Sequence, residues 1–180
     1  MIKTIYVDMD GVLADFKKRF IERFKEEPEI DYPSKKKEKD AYKGRFATMV
    51  EERQFATLDP MPDLDEGIRF LDILAFKRYD FTIKILSSTA RIELKHTISE
   101  QKDKWLADYD ITYPAIYVPG KILKKYYARP DRLLIDDTRA NVDDWRALGG
   151  KAILHTSWKE TIEEFYYYYE WNDNWRKEII

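Results

Sequence analysis

KTIYVDMDGVLADF, residues Lys3–Phe16, is the stretch from which the rest of the chain can be read. Thr4, Ile5, Tyr6 and Val7 are strand-favouring residues that run directly into Asp8. Met9, Asp10 and Gly11 follow, and then a segment of helical character. Two carboxylates two positions apart at the end of a buried strand repel each other, and desolvation penalises both charges. A hard divalent cation held by oxygens is the natural compensation. Gly11 suits a tight strand-to-helix turn whose backbone passes close to a ligand. A surface turn is the plain alternative for Asp-Gly by itself. It fits DxDG poorly when that motif stands directly behind an apolar strand.

Working outward, Asp15 to Glu27 reads as a helix, with Phe16, Phe20 and Phe24 at i, i+4, i+8 and Pro28 as its stop. Ile30 to Pro33 reads as irregular, and Ser34 to Asp40, SKKKEKD, as a solvated charge run. Ala41 to Phe55 is predicted helical, with Phe46, Met49, Val50 and Phe55 as its apolar positions. Leu58 to Pro62, LDPMP, breaks it. Leu64 to Lys77 is an amphipathic helix built on Ile68, Leu71, Leu74 and Ala75. Phe81 to Leu86, FTIKIL, is a second strand and runs into Ser87, Ser88 and Thr89. A helix over Ser99 to Tyr109 is followed by a short strand, Ala115 to Val118, and a short helix, Lys121 to Tyr127. Arg132 to Ile135 is the fourth strand and ends in Asp136 and Asp137. The spacing then predicts a helix over Asn141 to Leu148 capped by Gly149 and Gly150, a strand over Ala152 to Leu154, and a helix over Trp158 to Tyr169.

Strands alternating with helices imply a parallel sheet covered on both faces. In such sheets ligands bind beyond the carboxyl ends of the strands. The polar clusters fall there: Asp8 and Asp10 after strand one, Ser87 and Ser88 after strand two, Asp136 and Asp137 after strand four. Three strand ends therefore converge on one place.

Composition narrows the function classes. The chain has 180 residues, enough for one domain with a real core and a small insert. With 32 basic against 34 acidic residues, no overall field draws it to a nucleic-acid polymer or an anionic membrane. No cysteine is present, which removes disulfides, thiolate zinc sites and a cysteine nucleophile. No apolar run is long enough to span a bilayer, and MIKTIYVD lacks the apolar core of a signal peptide, so a cytoplasmic location is the expectation. His96 and His155 stand away from the strand ends and read as surface or structural. YYYYEW, Tyr166 to Trp171, reads as packing of the last helix or a dimer contact, with monomer and homodimer both open.

DMDGVLADF resembles motif I of the haloacid dehalogenase-like (HAD) hydrolases, in the form found in the 5′(3′)-deoxyribonucleotidases and related phage and bacterial 5′-nucleotidases. The resemblance runs from Lys3 to Leu154. It implies an α/β, HAD-like Rossmannoid three-layer fold with a five-stranded parallel sheet in the order 3-2-1-4-5. Residues 1–15 and 63–180 would form the core, and 16–62 a small helical cap inserted after strand 1. Asp8 is then the nucleophile that forms an aspartyl-phosphate, and Asp10 the general acid and base. ILSS is similar to motif II, with Ser87 as the phosphate-binding hydroxyl and Ser88 beside it. LLIDD is similar to motif IV. By position along the strand Asp137 is the direct metal ligand and Asp136 its support, although the two roles are interchangeable. Lys121, Lys124 and Lys125 compete for the motif III lysine, and the pattern KKYYARP favours Lys124. Phe16 stands where these nucleotidases place an aromatic against the base, and it equally fits the Phe16/Phe20/Phe24 core stripe. FATLDPMP, Phe55 to Pro62, is similar to the segment that leads out of the deoxyribonucleotidase cap. The family's usual motif II threonine is serine here, which keeps the hydroxyl.

The constellation suits phosphate monoester hydrolysis, which demands barrier reductions towards ~20 kcal/mol. Magnesium held by Asp8, the Asp10 carbonyl and the Asp136–Asp137 pair would shield the repulsion between carboxylate and phosphate. The expected substrate is a small phosphorylated molecule, a nucleoside 5′-monophosphate and foremost a deoxyribonucleotide. A phosphatase for another small metabolite and a non-catalytic binding protein on the same fold are the alternatives. A receiver-type signalling domain also clusters Asp, a hydroxyl and Lys, but its acceptor Asp follows strand three. Here strand three ends in Val118, Pro119 and Gly120.

Overall fold

The computed structural model describes residues 2–28, 36–78 and 81–169. Its strands are β1 (Thr4–Val7), β2 (Thr82–Ser88), β3 (Ala115–Val118), β4 (Arg132–Asp136) and β5 (Lys151–Leu154). They form one five-stranded parallel sheet in the order β3-β2-β1-β4-β5, the predicted order. The helices are α1 (Phe16–Phe24), α2 (Lys36–Glu51), α3 (Leu64–Asp72), α4 (Lys95–Asp108), α5 (Arg139–Ala147) and α6 (Trp158–Tyr169). Between β3 and β4 the chain makes a 3-10 segment, Lys121–Tyr127.

Alternation along the strands divides the core into two layers. Ile5, Val7, Ile83, Ile85, Leu133 and Ile135 face one side, where they pack with Leu71 of α3, Ile98 and Trp105 of α4 and Phe165 of α6. Tyr6, Leu86, Leu134 and Ala152 face the other, against Val142 and Trp145 of α5 and Leu123 and Tyr127 of the 3-10 segment. Both faces of the central strands are therefore covered. This explains why β1 and β4 read as continuous apolar runs rather than as alternating ones.

Several boundaries differ from the sequence expectation, each for a local reason. α1 starts behind Asp15, whose Oδ1 accepts the Lys18 N–H at 2.9 Å. It ends ahead of Pro28 because Lys25 turns left-handed, φ +58°, and its N–H caps Ile21 O at 2.8 Å. α2 begins inside the predicted charge run, at Lys36, and stops at Glu51, where Arg53 turns left-handed. Ile30–Pro33 and Ser34 lie outside the described residues. α3 continues into a wider helical turn over Ile73–Arg78. α4 begins at Lys95, ahead of the predicted Ser99. β2 continues beyond its apolar run so that Ser87 pairs with Tyr117 and Ser88 with Val118. Of the YYYYEW stretch, Tyr166 packs edge-on against Phe70, at 6.0 Å between ring centroids, while Glu170 and Trp171 lie outside the described residues.

The excursion between β1 and α3 leaves and returns at one point. Ala14 bridges Pro60, Asp15 N–H donates to Asp59 O, and Met61 N–H donates to Leu13 O, both at 2.8 Å. Its interior is aromatic. Phe16 stacks on Phe55 at 5.6 Å, Phe20 meets Phe16 and Tyr42 at 5.7 Å each, and Phe46 meets Phe55 at 5.5 Å.

At the start of α6, Trp158 is fully buried. Its Nε1–H donates to Val12 O at 3.1 Å and its backbone N–H to Asp63 Oδ2 at 2.7 Å. Gly67 of α3 lies against this indole, so that a Cβ there would fall 2.1 Å from Trp158 Cε2. Alanine gains up to ~1 kcal/mol of helix propensity, whereas overpacking a filled core costs ~1–3 kcal/mol. Gly67→Ala is therefore expected to lower the free energy of unfolding in urea titration by ~1–2 kcal/mol. His155 is buried beside Trp158, with Nδ1 2.8 Å from Thr161 Oγ1. Burial pulls its pKa down from 6.5 to about 4 against the opposing charges of Asp63 and Glu160. The unfolded chain thus binds the extra proton between these values, and the contribution of neutral His155 is complete above pH 6.5 and is lost as pH falls towards 4. The stability of the unmodified protein relative to His155→Gln should fall by up to ~3 kcal/mol as pH drops from 6.5 to 4, read as unfolding midpoints at each pH. A pH-independent difference would contradict this.

Candidate active site

The register of the sheet builds the site. Val7 pairs with Ile85 on one side and Ile135 on the other, so Asp8 and Asp136, each one residue further on, are neighbours at adjacent strand ends. The Asp8 N–H donates to Ile135 O at 2.9 Å. By alternation both side chains continue the face of Tyr6 and Leu134, the face covered by the 3-10 segment. That segment delivers Lys124, which is 2% exposed, with Nζ 2.6 Å from Asp8 Oδ2 and 2.7 Å from Asp136 Oδ2. Of the three lysines weighed from sequence, Lys124 is the one buried here. Lys125 instead reaches Asp144 at 3.2 Å, and Lys121 stands at the pocket wall.

Asp136 is saturated. Its Oδ1 accepts the Thr138 N–H at 2.9 Å, and Asn141 Nδ2 donates to both of its oxygens at 2.9 and 3.1 Å. Asp137 lies against Gly11, where φ is +80° and a Cβ would sit 2.1 Å from Asp137 Oδ2. Only glycine fits at this turn, for backbone and for space alike. Carboxylate oxygens of Asp8, Asp136 and Asp137 lie within 4.8 Å of one another. Burial, then the charges of Asp8 and Asp136, push Asp137 up to about 7. Burial likewise raises Asp136. For Lys124 burial acts to lower the pKa, but Asp136 and Asp8 together outweigh it and hold the ammonium above the ordinary lysine range. Three clustered carboxyl groups face one ammonium. The donor set, all hard oxygens, fits a small divalent cation such as magnesium.

Asp10 is turned the other way. Its Oδ2 accepts from Lys102 Nζ at 2.6 Å, while its Oδ1 is shut from solvent and has no hydrogen-bond partner among the described residues. Burial raises the Asp10 pKa against the lowering charge of Lys102. Ser87 is fully buried and its Oγ accepts from Lys102 at 2.7 Å. It does not line the pocket, whereas Ser88 does. The Ser88 Oγ accepts the Ala90 N–H at 3.1 Å, and Ala90 itself is left-handed, φ +61°. Asp8, Asp10, Asp137 and Lys124 close the inner end of a pocket of about 550 Å³. Phe16, Tyr42 and Phe46 form its aromatic wall, and Lys17, Lys43, Arg91 and Lys121 its basic rim. Burial, then the Asp10 charge, push Tyr42 up to about 12, so its hydroxyl stays protonated. His96 is exposed and pairs with Glu100, far from this chemistry, and Asp143 is exposed on α5.

The family described as 5′ nucleotidase, deoxy (Pyrimidine), cytosolic type C protein matches residues 1–179. The chain belongs to this 5′-nucleotidase family. Similar solved structures are HAD-family hydrolases. One is a HAD family enzyme from Bacteroides thetaiotaomicron, an Asp-to-Ala mutant in complex with magnesium and inorganic phosphate, with 15% identity, a TM-score of 0.51, and coverage of 90% of this chain and 99% of that one. Another is L-2-haloacid dehalogenase from Xanthobacter autotrophicus with chloropropionic acid covalently bound, with 15% identity, a TM-score of 0.52, and coverage of 94% and 84%. At such identities the likeness speaks for the fold. No curated protein matches the chain. Membership of the 5′-nucleotidase family makes the protein a phosphoric monoester hydrolase.

One residue at the centre of this nucleotidase's site went unread in the sequence. Lys102 lies on α4 with a fully buried side chain. The signal was present in the spacing, because the buried face of α4 runs Ile98, Gln101, Lys102, Trp105, Leu106. A lysine and a glutamine at core positions of an otherwise apolar stripe need buried partners. Gln101 Nε2 finds Val50 O at 3.0 Å and Trp105 Nε1 finds Leu58 O at 2.8 Å, so the same face also holds the excursion in place.

The close approach of Gly11 to Asp137 gives a direct test. Gly11→Ala strains the left-handed backbone by about 1 kcal/mol or more and displaces the Asp137 carboxylate. Phosphatase kcat is expected to drop at least ~100-fold while far-ultraviolet circular dichroism stays that of the folded protein. Retention of full activity would refute the placement.

Proposed function

We propose that this nucleotidase hydrolyses nucleoside 5′-monophosphates, deoxyribonucleotides foremost, through an aspartyl-phosphate on Asp8. The observation that carries the reading is the Asp8–Lys124–Asp136 bridge at the inner end of a pocket with an aromatic wall. Lys124 has three N–H donors and uses two on Asp8 and Asp136, which leaves one for a phosphoryl oxygen. A carboxylate oxygen of Asp8 attacks phosphorus, the bond from phosphorus to the 5′ oxygen breaks, and Asp10 gives its proton to the departing oxygen. The raised pKa of Asp10 favours the protonated form that this step requires. Water then attacks the phosphorus of the aspartyl-phosphate, Asp10 takes the proton back, and phosphate leaves with Asp8 regenerated. Asp8, Asp137 and the Asp10 carbonyl, with Asp136 behind them, would hold magnesium, which when bound would supply positive charge against the phosphoryl oxygens. Ser88 and the backbone at Gly11 are the remaining phosphate contacts in this reading, while Ser87, expected from sequence to bind phosphate, is buried behind them on Lys102.

Residues 16–62 serve as the cap over the core formed by 1–15 and 63–180. Phe16, Tyr42 and Phe46 then offer apolar surface to a base, and base–aromatic stacking contributes ~1–3 kcal/mol with tolerance for different bases. The predicted partner is a small phosphorylated molecule rather than a nucleic-acid polymer. None of the described helices is long and apolar enough to cross a membrane, and the reading keeps the expected cytoplasmic location.

Phosphate release from a panel of ribo- and deoxyribonucleoside monophosphates and sugar phosphates tests the proposal. Release from nucleotides with magnesium, loss with EDTA and loss of at least ~10³-fold in Asp8→Asn are expected. Release from sugar phosphates alone would replace the nucleotide with another small metabolite.

A further inference from the structure

The Lys102 ammonium has three hydrogens and three partners: Asp10 Oδ2 at 2.6 Å, Ser87 Oγ at 2.7 Å and Ser88 O at 3.2 Å. Its donors are used up, and its buried side chain does not line the pocket. It therefore has no hydrogen left for a phosphoryl oxygen, in contrast to Lys124. What it does touch is the carboxylate that follows β1 and the last two residues of β2, the two segments that must hold their spacing around a transferring phosphoryl group. The Phe55 ring lies 5.4 Å beneath the ammonium and closes the remaining side.

We propose that Lys102 is a positioning residue that fixes Asp10 for proton transfer to the leaving oxygen and ties it to the phosphate side of the site at Ser87 and Ser88. The inference rests on the function proposed above and extends it to a residue outside the motifs read from the sequence. By donating to Oδ2, the ammonium fixes the orientation of a carboxylate whose residue lines the pocket. Asp10 follows a four-residue strand and a turn, and among the described residues no hydrogen bond other than that from Lys102 holds its carboxylate. The 92-residue separation in sequence means that α4 supplies this orientation through the tertiary fold alone.

The leaving group separates positioning from plain structural support. A 5′ alkoxide needs its proton as the bond breaks, whereas p-nitrophenolate leaves without one. In single-turnover reactions Lys102→Met is expected to slow release of deoxynucleoside from its 5′-monophosphate by ~10²-fold and release of p-nitrophenol from p-nitrophenyl phosphate by less than ~10-fold. In an Asp10→Asn background, adding Lys102→Met should change nucleoside release by less than ~3-fold, because the group that Lys102 positions no longer donates a proton. The double variant leaves no unpaired buried charge, and its comparison with Asp10→Asn, made once circular dichroism shows both folded, does not depend on Lys102→Met alone being stable. Equal losses on both esters, or a further large loss in the Asp10→Asn background, would overturn the proposal. Absence of activity in the unmodified protein would overturn the function reading and this inference together, whereas activity with equal losses overturns the inference alone.

Discussion

The ammonium of Lys124, held between Asp8 and Asp136, is the interaction on which the active end of the fold depends. Two carboxylates at the ends of hydrogen-bonded neighbouring strands cannot separate without breaking the sheet, because the Val7–Ile135 register fixes them. Removing the lysine would leave both acids buried beside each other, and breaking such a cluster costs several kcal/mol. The 3-10 segment Lys121–Tyr127 exists to bring that side chain under the sheet, and Tyr127 and Leu123 anchor it in the smaller of the two cores. Asn141 and Thr138, at the start of α5, complete the shell around Asp136.

The alternation of the strands then assigns the two buried lysines to opposite faces. Asp8 and Asp136 share the side of Tyr6 and Leu134, so their cation comes from the 3-10 segment. Ser87 continues the side of Ile83 and Ile85, and meets a cation from α4. The two cations are differently employed. Lys124 keeps a donor in reserve at the pocket wall, while Lys102 is saturated within the protein. At the inner site Asp8, Asp136 and Asp10 are each held by a buried lysine, while Asp137, beside Gly11, accepts only the Thr138 hydroxyl at 3.2 Å. Charge left over at Asp137 is what a cation would meet.

Much of this was legible because the decisive elements are local. An apolar run ending in Asp, repeated at Val7–Asp8 and Ile135–Asp136, marks both the strand and its functional end, and the alternation of strands and helices gives the sheet. Helix limits were less readable. Lys25 and Arg53 end α1 and α2 by turning left-handed, and neither residue type advertises that conformation. Lys102 was missed for a deeper reason. Its partners lie 92 and 15 residues away, and a single lysine on a helix reads as solvated unless the face it occupies is counted. The choice of Lys124 over Lys121 and Lys125 likewise depends on the tight winding of the 3-10 segment, which periodicity at 3.6 residues does not resolve.

The excursion that follows β1 is pinned at its neck by the pairing of Ala14 with Pro60 and by the flanking hydrogen bonds of Asp15 and Met61. A segment whose two ends already meet can change its length with little effect on the scaffold, since closing a longer loop adds only about 0.6 kcal/mol per doubling. Asp8, Asp136 and Asp137 stand on the sheet side of that neck and the aromatic wall of Phe16, Tyr42 and Phe46 on the far side. The aromatic excursion can therefore be enlarged, shortened or exchanged as a module while the carboxylate cluster at the strand ends keeps its geometry.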